Sequence, residues 1–249
     1  MENKNMKVTS KHKENLFFSI TGLPGSGTTL MSRIMNSIDG SASLSDPMRS
    51  MLSINLKNNK LEEYDFKNPI VNFINGYKSY VKHSSRMEIG GIKETFSSIP
   101  SRINNYINRS FNQSDFIIFV IRNPLGNYND WKRDNDKGGY KRLGNHILFN
   151  MVYDQYIKFY KKMKEEKPCF LIKYEDLCDN FSTEWLNSIF NGYLEFEGDL
   201  EKLKPLMGVG DDEAKYSYRI NESYNGIENL SHDEVINVGR LESSYETIS

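Results

Sequence analysis

The chain of 249 residues has only two cysteines, Cys169 and Cys178. One pair provides no disulfide framework, and neither cysteine has the neighbours of a metal site. Cys169 lies in an apolar run and reads as a buried thiol, which suits a reducing compartment. An excess of either charge is also lacking, since 32 Lys and Arg stand against 33 Asp and Glu. That balance argues against a general nucleic-acid binder. No apolar run has the length of a membrane span. Residues 1–15 are polar and lysine-rich, so the expectation is a disordered tail rather than a signal peptide. What these absences leave is a soluble cytoplasmic protein with no membrane partner. Residues 16–249 are long enough for a single α/β domain with a sizeable core.

What is present is concentrated in residues 16–36, LFFSITGLPGSGTTLMSRIMN. The run from Leu16 to Ile20 has the aromatic and branched content of a buried strand. Gly22-Leu23-Pro24-Gly25-Ser26-Gly27 then forms a turn, and Leu30, Met31, Ile34 and Met35 recur at helical spacing. A strand, a glycine loop and a helix start make a phosphate cradle. The glycines turn backbone N–H groups inward and the helix terminus adds partial positive charge. Thr28 and Thr29 place hydroxyls beside it. The spacing matches G-x-x-x-x-G-K-[ST], except that Thr28 stands where the lysine belongs. A kinase with that change lacks its main charge on the transferred phosphate. The plain alternative is an ordinary glycine-rich turn.

Further along, residues 38–47 read as a small-residue loop, with Asp46 as N-cap of a helix that Pro47 starts. Beyond Pro69 a helix shows Ile70, Phe73, Ile74, Tyr77 and Val81 on one face. Residues 87–96 read as a second strand ending near Lys93, an exposed strand-end lysine on the simplest account. Residues 99–111 suggest a helix. Residues 115–121 make the clearest buried strand, which ends at Arg122-Asn123-Pro124 and runs into another helix. A parallel strand's C-terminal end is where open α/β sheets bind ligands, although Arg122 would serve equally in a salt bridge. A loop at 138–144 precedes a long amphipathic helix bearing Leu148, Val152, Tyr156, Phe159 and Met163, with a lysine-rich solvated end. Then come the strand PCFLIK with Tyr174-Glu175-Asp176-Leu177 and a helix at 181–190 with Trp185 and Ile189 as core. Residues 206–229 have the composition of a loop over a site.

Gly-x-Pro-x-Ser-Gly-Thr-Thr-Leu resembles the 5′-phosphosulfate loop of sulfotransferases that use 3′-phosphoadenosine 5′-phosphosulfate (PAPS), especially the tyrosylprotein, bacterial and Golgi types. Phe-Val-Ile-Arg122-Asn-Pro resembles the family's 3′-phosphate motif, and the strand with Tyr174-Glu-Asp-Leu its closing sheet motif. Gly-x-Lys93 and Gly239-Arg240-Leu241 resemble two further segments. The resemblance implies a P-loop-like parallel sheet with helices on both faces. Pro24, Gly25, Ser26, Gly27, Thr28 and Thr29 would hold the phosphosulfate, with Arg122, the position of Asp130 and Arg240 at the 3′-phosphate and Tyr174 near the adenine. Asp46 falls where tyrosylprotein sulfotransferases carry a catalytic acid, and capping and catalysis are compatible there. Lys93 would stabilise the bridging oxygen, no metal is implied, and adenosine 3′,5′-bisphosphate is the expected product.

Several positions depart from the family. Thr95 or Phe96 replaces a proline, and Gly25 stands where a lysine or arginine is usual. Asp130 takes the place of a phosphate-binding serine eight residues beyond Arg122. A carboxylate about 4 Å from a phosphate charge costs about 4 kcal/mol at an effective dielectric near 20. Asn129, Lys132 and Arg133 are nearby substitutes, and the resemblance of its segment makes Arg240 a further compensator. The usual terminal helix is also missing. The expectation is a sulfotransferase acting on a hydroxyl or amine of a small molecule, carbohydrate or peptide. A degenerate P-loop phosphotransferase and a non-catalytic nucleotide-binding module are the rivals.

Overall fold

A computed structural model describes residues 6–10, 15–47, 67–96, 111–136, 145–200, 203 and 229–248. The expectations for residues 138–144, for most of 99–111 and for nearly all of 206–229 lie outside these. The strands are β1 (Lys7–Ser10), β2 (Leu16–Gly22), β3 (Ser41–Ser45), β4 (Ile89–Thr95), β5 (Phe116–Ile121), β6 (Cys169–Lys173) and β7 (Leu194–Glu197). The helices used below are α1 (Thr28–Ser37), α2 (Lys67–His83), α3 (Pro124–Asp136), α4 (His146–Glu166), α5 (Tyr174–Asp179), α6 (Thr183–Phe190), α7 (His232–Gly239) and α8 (Glu242–Glu246).

Five strands form a parallel sheet in the order β3-β4-β2-β5-β6. β2 is central and every one of its residues is buried, which is why it reads as a near-continuous apolar run. Its side chains divide between two cores. Phe17 joins Ile117, Phe119 and Ile121 of β5 under the aromatic face of α4. Phe18 and Ile20 join Ile118 and Val120 against Met31, Ile34 and Met35 of α1. The chain leaves β2 toward β3 and β4, then crosses to β5 and β6. That reversal opens a crevice at the C-terminal end of β2.

Three expectations need correction. Within the supposed disordered tail, β1 pairs antiparallel with β7, and Met6 and Val8 are buried in the second core. An alternation of only two apolar residues among lysines is too short to stand out, yet it covers the edge of that core. Within the supposed loop at 38–47, Ser41–Ser45 is an edge strand. Serine is not among the residues enriched in strands, but β3 pairs with β4 and α1 holds Ser43. Ser32 and Ser43 hydroxyls meet at 2.7 Å, and Asn36 Nδ2 donates to the Ser43 carbonyl at 3.1 Å. In α6 the fully buried residues are Leu186 and Phe190, whereas Trp185 and Ile189 pack only at the margin. The solvated lysine end of α4 also has an exception, because the Lys167 ammonium donates to the carbonyls of Phe111, Asn112 and Ser114.

Candidate active site

The loop after β2 has the backbone the sequence motif implies. Gly25 and Gly27 adopt φ of +76° and +96°, a region costly to any residue with a Cβ. Ser26 N–H donates to the Leu23 carbonyl at 3.0 Å, closing the turn. Gly27 is the N-cap of α1; it provides no side-chain cap, and the first turn has no acidic residue. The first N–H groups of a helix have no intrahelical acceptor, so this terminus is suited to an anion. Among the described residues, the hydroxyls of Ser26 and Thr21 are buried without a hydrogen-bond partner. Ser26 Oγ and the Thr28 methyl lie against Gly22. The Tyr174 ring lies against Gly27.

On one flank of the loop, Lys93 and Asp46 stand at the ends of β4 and β3. Lys93 is opposite Ile20 on one side and Ser45 on the other. It is not the exposed lysine of the simplest account: Lys93 and Asp46 are 2% and 1% exposed and form an ion pair. Asp46 has φ +45°, and its N–H donates to the Lys93 carbonyl at 2.7 Å. Its Oδ1 accepts from the N–H and the hydroxyl of Thr95, both at 3.0 Å, while Oδ2 accepts from Lys93 and, at 3.4 Å, from Ser45. Pro47 begins a helical turn whose continuation is outside the described residues. The replaced proline now has a reason. Proline has no N–H, and here Thr95 N–H serves Asp46 while Phe96 N–H serves the Gly22 carbonyl at 2.8 Å.

On the other flank, Arg122 directly follows β5 and is 3% exposed. Its Nη1 donates to the Gly25 carbonyl at 3.0 Å and ion-pairs with Asp130 of α3. Its guanidinium carbon is 4.6 Å from the centre of the Tyr174 ring. Asp130 therefore points at Arg122, not away from it. Asn127, one turn earlier, donates to the Pro24 carbonyl at 2.6 Å. A Cβ at Gly25 would lie 3.0 Å from Asp130 Cβ and 3.1 Å from Asn127 Nδ2. The missing loop cation and the carboxylate at 130 are thus one local arrangement, because α3 packs where the larger side chain would begin.

Of the proposed compensators, Lys132 is engaged elsewhere. Lys132 donates to Glu234 of α7 at 2.8 Å and to the Asn229 carbonyl at 2.9 Å. Arg240 is exposed at the C-terminal end of α7, and the Arg133 side chain lies outside the described residues. Other groups had no signal in the sequence beyond an apolar helix face or a short motif. The Tyr153 hydroxyl donates to the Arg122 carbonyl at 2.9 Å. Tyr156 reaches the Thr21 and Val120 carbonyls, both at 3.0 Å. Glu175 Oε1 accepts from Asn123 N–H at 3.0 Å and Oε2 from the Tyr245 hydroxyl at 2.6 Å. Burial raises the pKa of Tyr153 and Tyr174 above the usual phenol value, so both remain neutral donors. Burial likewise pushes the Cys178 thiol up to about 11 and Cys169 up to about 12, which leaves both as inert thiols. Among the described residues no helix is long and apolar enough to cross a membrane.

Fold and site together define a parallel α/β protein with a glycine loop at its central strand and an ion pair on each flank of that loop, fully buried for Lys93–Asp46 and partly exposed at Asp130 for the other. No protein-family model matches the chain, and no curated protein sequence does. Among solved structures, it is similar to the sulfotransferase domain from the Synechococcus PCC 7002 olefin synthase. That likeness covers 96% of this chain and 90% of the other, with 15% identity and a TM-score of 0.50. At such identity the likeness is one of fold, and the fold is sulfotransferase-like.

Proposed function

We propose that this chain is a sulfotransferase that moves a sulfuryl group from a nucleotide phosphosulfate of the PAPS type to a hydroxyl or amine. The observation that carries this reading is the uncapped, glycine-bounded start of α1 with the buried, unpartnered Ser26 hydroxyl inside it. A tetrahedral anion fits that cradle; the 3′-phosphate of PAPS meets Asp130 instead. The bound donor would supply an activated sulfur–oxygen bond.

The chain's own residues then have distinct tasks. The N–H groups from Ser26 to Thr29 and the hydroxyls of Ser26, Thr28 and Thr29 hold the phosphosulfate oxygens. Lys93, already at the neighbouring strand end, offers positive charge for the leaving oxygen. Asp46 orients Lys93 and accepts the acceptor's proton through Oδ2. Taking that proton requires Lys93 to turn from Asp46 toward the leaving group, so the two events are coupled. Tyr174 closes the wall beside Gly27. The reversal of strand order at β2, with its crevice at the C-terminal ends of the strands, supports this grouping.

A second reading, a nucleotide-binding module without turnover, is favoured by Asp46 itself, whose oxygens already accept from Lys93, Ser45 and Thr95. Incubation with sulfur-labelled nucleotide phosphosulfates and pooled hydroxyl and amine acceptors separates the readings. Transferred label supports the enzyme, whereas tight binding with no transfer supports the module. A marked preference for nucleoside triphosphates would instead support phosphoryl transfer.

A further inference from the structure

We infer that Asp130 sets the nucleotide preference of the cradle, and that the nucleotide it selects carries a free ribose hydroxyl where PAPS carries a 3′-phosphate. The inference rests on the cradle being a nucleotide site. Arg122 is the cation beside the loop on this flank, and Asp130 neutralises it at contact distance. A phosphate arriving at Arg122 must meet that carboxylate or displace it, and an ionised carboxylate is an acceptor only. A ribose hydroxyl, by contrast, has a proton to donate to it. Dinucleotide-binding sheets use the same discrimination, with an acidic side chain on the ribose hydroxyl and an arginine where that hydroxyl is phosphorylated.

The carboxylate is built in, not incidental. Asn127 fastens α3 to the Pro24 carbonyl at 2.6 Å, and a Cβ on Gly25 would come within 3.0 Å of Asp130 Cβ, a tight contact. Farther along α3, Tyr128 and Lys132 both bind Glu234 of α7, at 2.9 Å and 2.8 Å. Arg122 is held from its other sides by the Gly25 carbonyl and the Tyr174 ring. These contacts fix the helix that carries Asp130, so a second phosphate must turn the carboxylate away from Arg122 or shift that helix, while a donor without the second phosphate leaves the arrangement intact.

Calorimetry on the full chain with adenosine 5′-monophosphate and adenosine 3′,5′-bisphosphate tests this. The wild type should bind the monophosphate at least as tightly as the bisphosphate. Asp130→Ser and Asp130→Asn should each shift the ratio toward the bisphosphate by roughly 10- to 150-fold, the range for one charge-assisted contact. A wild-type preference of about tenfold or more for the bisphosphate would overturn the inference while leaving the cradle a nucleotide site. An unchanged ratio in both folded variants would also overturn it. If the wild type binds neither nucleotide, the nucleotide reading itself fails, and this inference with it. Should both variants fail to fold, the wild-type ratio still decides.

Discussion

On the β3–β4 flank, the partners of the Lys93–Asp46 pair described above come from two adjacent strands, and the carboxylate accepts from Thr95 and Ser45 as well as from the lysine. On the β5 flank, the Arg122–Asp130 pair joins a strand end to a helix, and what fixes it is the seating of α3 on the glycine loop. The first pair keeps residues that the resemblance expects at a catalytic position. The second changes one of them and cancels a charge. On the proposed reading, the C-terminal ends of the strands carry a flank suited to chemistry and a flank suited to selection, and the latter can change while the strands stay as they are.

The largest effect should fall on the first flank. Asp46→Asn should lower sulfuryl transfer by about 10²–10⁴-fold if Asp46 takes the proton, and Lys93→Met by about 10²–10³-fold, both read from initial rates with labelled donor. Full activity in the asparagine variant would reduce Asp46 to a holder of Lys93.

Stability is the next measure. Removing one member of a buried pair costs about 3–5 kcal/mol, because the other charge is left unpaired. Lys93→Met should show a loss of that order in urea unfolding, and the double variant Asp46→Asn with Lys93→Met should recover much of it without recovering transfer. Arg122→Ala should lose less, because the Asp130 carboxylate it leaves behind is partly exposed, and Asp130→Ala should recover part of that loss. Unequal coupling energies from the two cycles would rank the flanks directly.

Smaller effects probe what seats α3. Gly25→Ala places a Cβ at φ +76°, which costs about 1–2 kcal/mol, and it should loosen α3 by crowding Asp130. For Glu234, burial acts to raise its pKa. Hydrogen bonds from Lys132, Ser231 N–H, Tyr128 and the Ser231 hydroxyl outweigh this and bring it down to about 2 from 4.5. A depressed carboxylate stabilises the fold above its unfolded value and loses that contribution as pH falls through its folded one. The α3–α7 contact should therefore weaken between about pH 4.5 and 2. Glu234→Gln should flatten that part of a melting-temperature profile, and an identical profile would exclude Glu234 as its source.

The parts legible in the sequence are those whose signal is local. β2, the loop and α1 follow from an apolar run, positive-φ glycines and a helical period lying next to one another. β5 with Arg122 follows in the same way. β1 and β3 were hidden because their strand partners are distant: Val8 pairs with β7, and Ser43 pairs with Gly91 of β4. Arg122 meeting Asp130 joins a strand end to the second turn of the following helix, which spacing alone does not orient. The tyrosines of α4 were visible as core, but their hydroxyl partners are carbonyls of other elements. Lys132 was assigned by nearness in sequence and Arg240 by the resemblance of its segment; Glu234 of α7 engages the first, and the second is exposed at the end of α7.

Glu175 binds Asn123 N–H through one oxygen and the Tyr245 hydroxyl through the other. The residue directly after Arg122 is thereby wired to α8, more than a hundred positions away in sequence. If that short helix frays, Glu175 is released on one side and the amide at the base of Arg122 loses part of its shelter. Local opening runs in contiguous units, so deuterium should reach the Asn123 amide on the timescale at which α8 opens. The arginine's footing and the chain's last helical turn would then breathe as one unit.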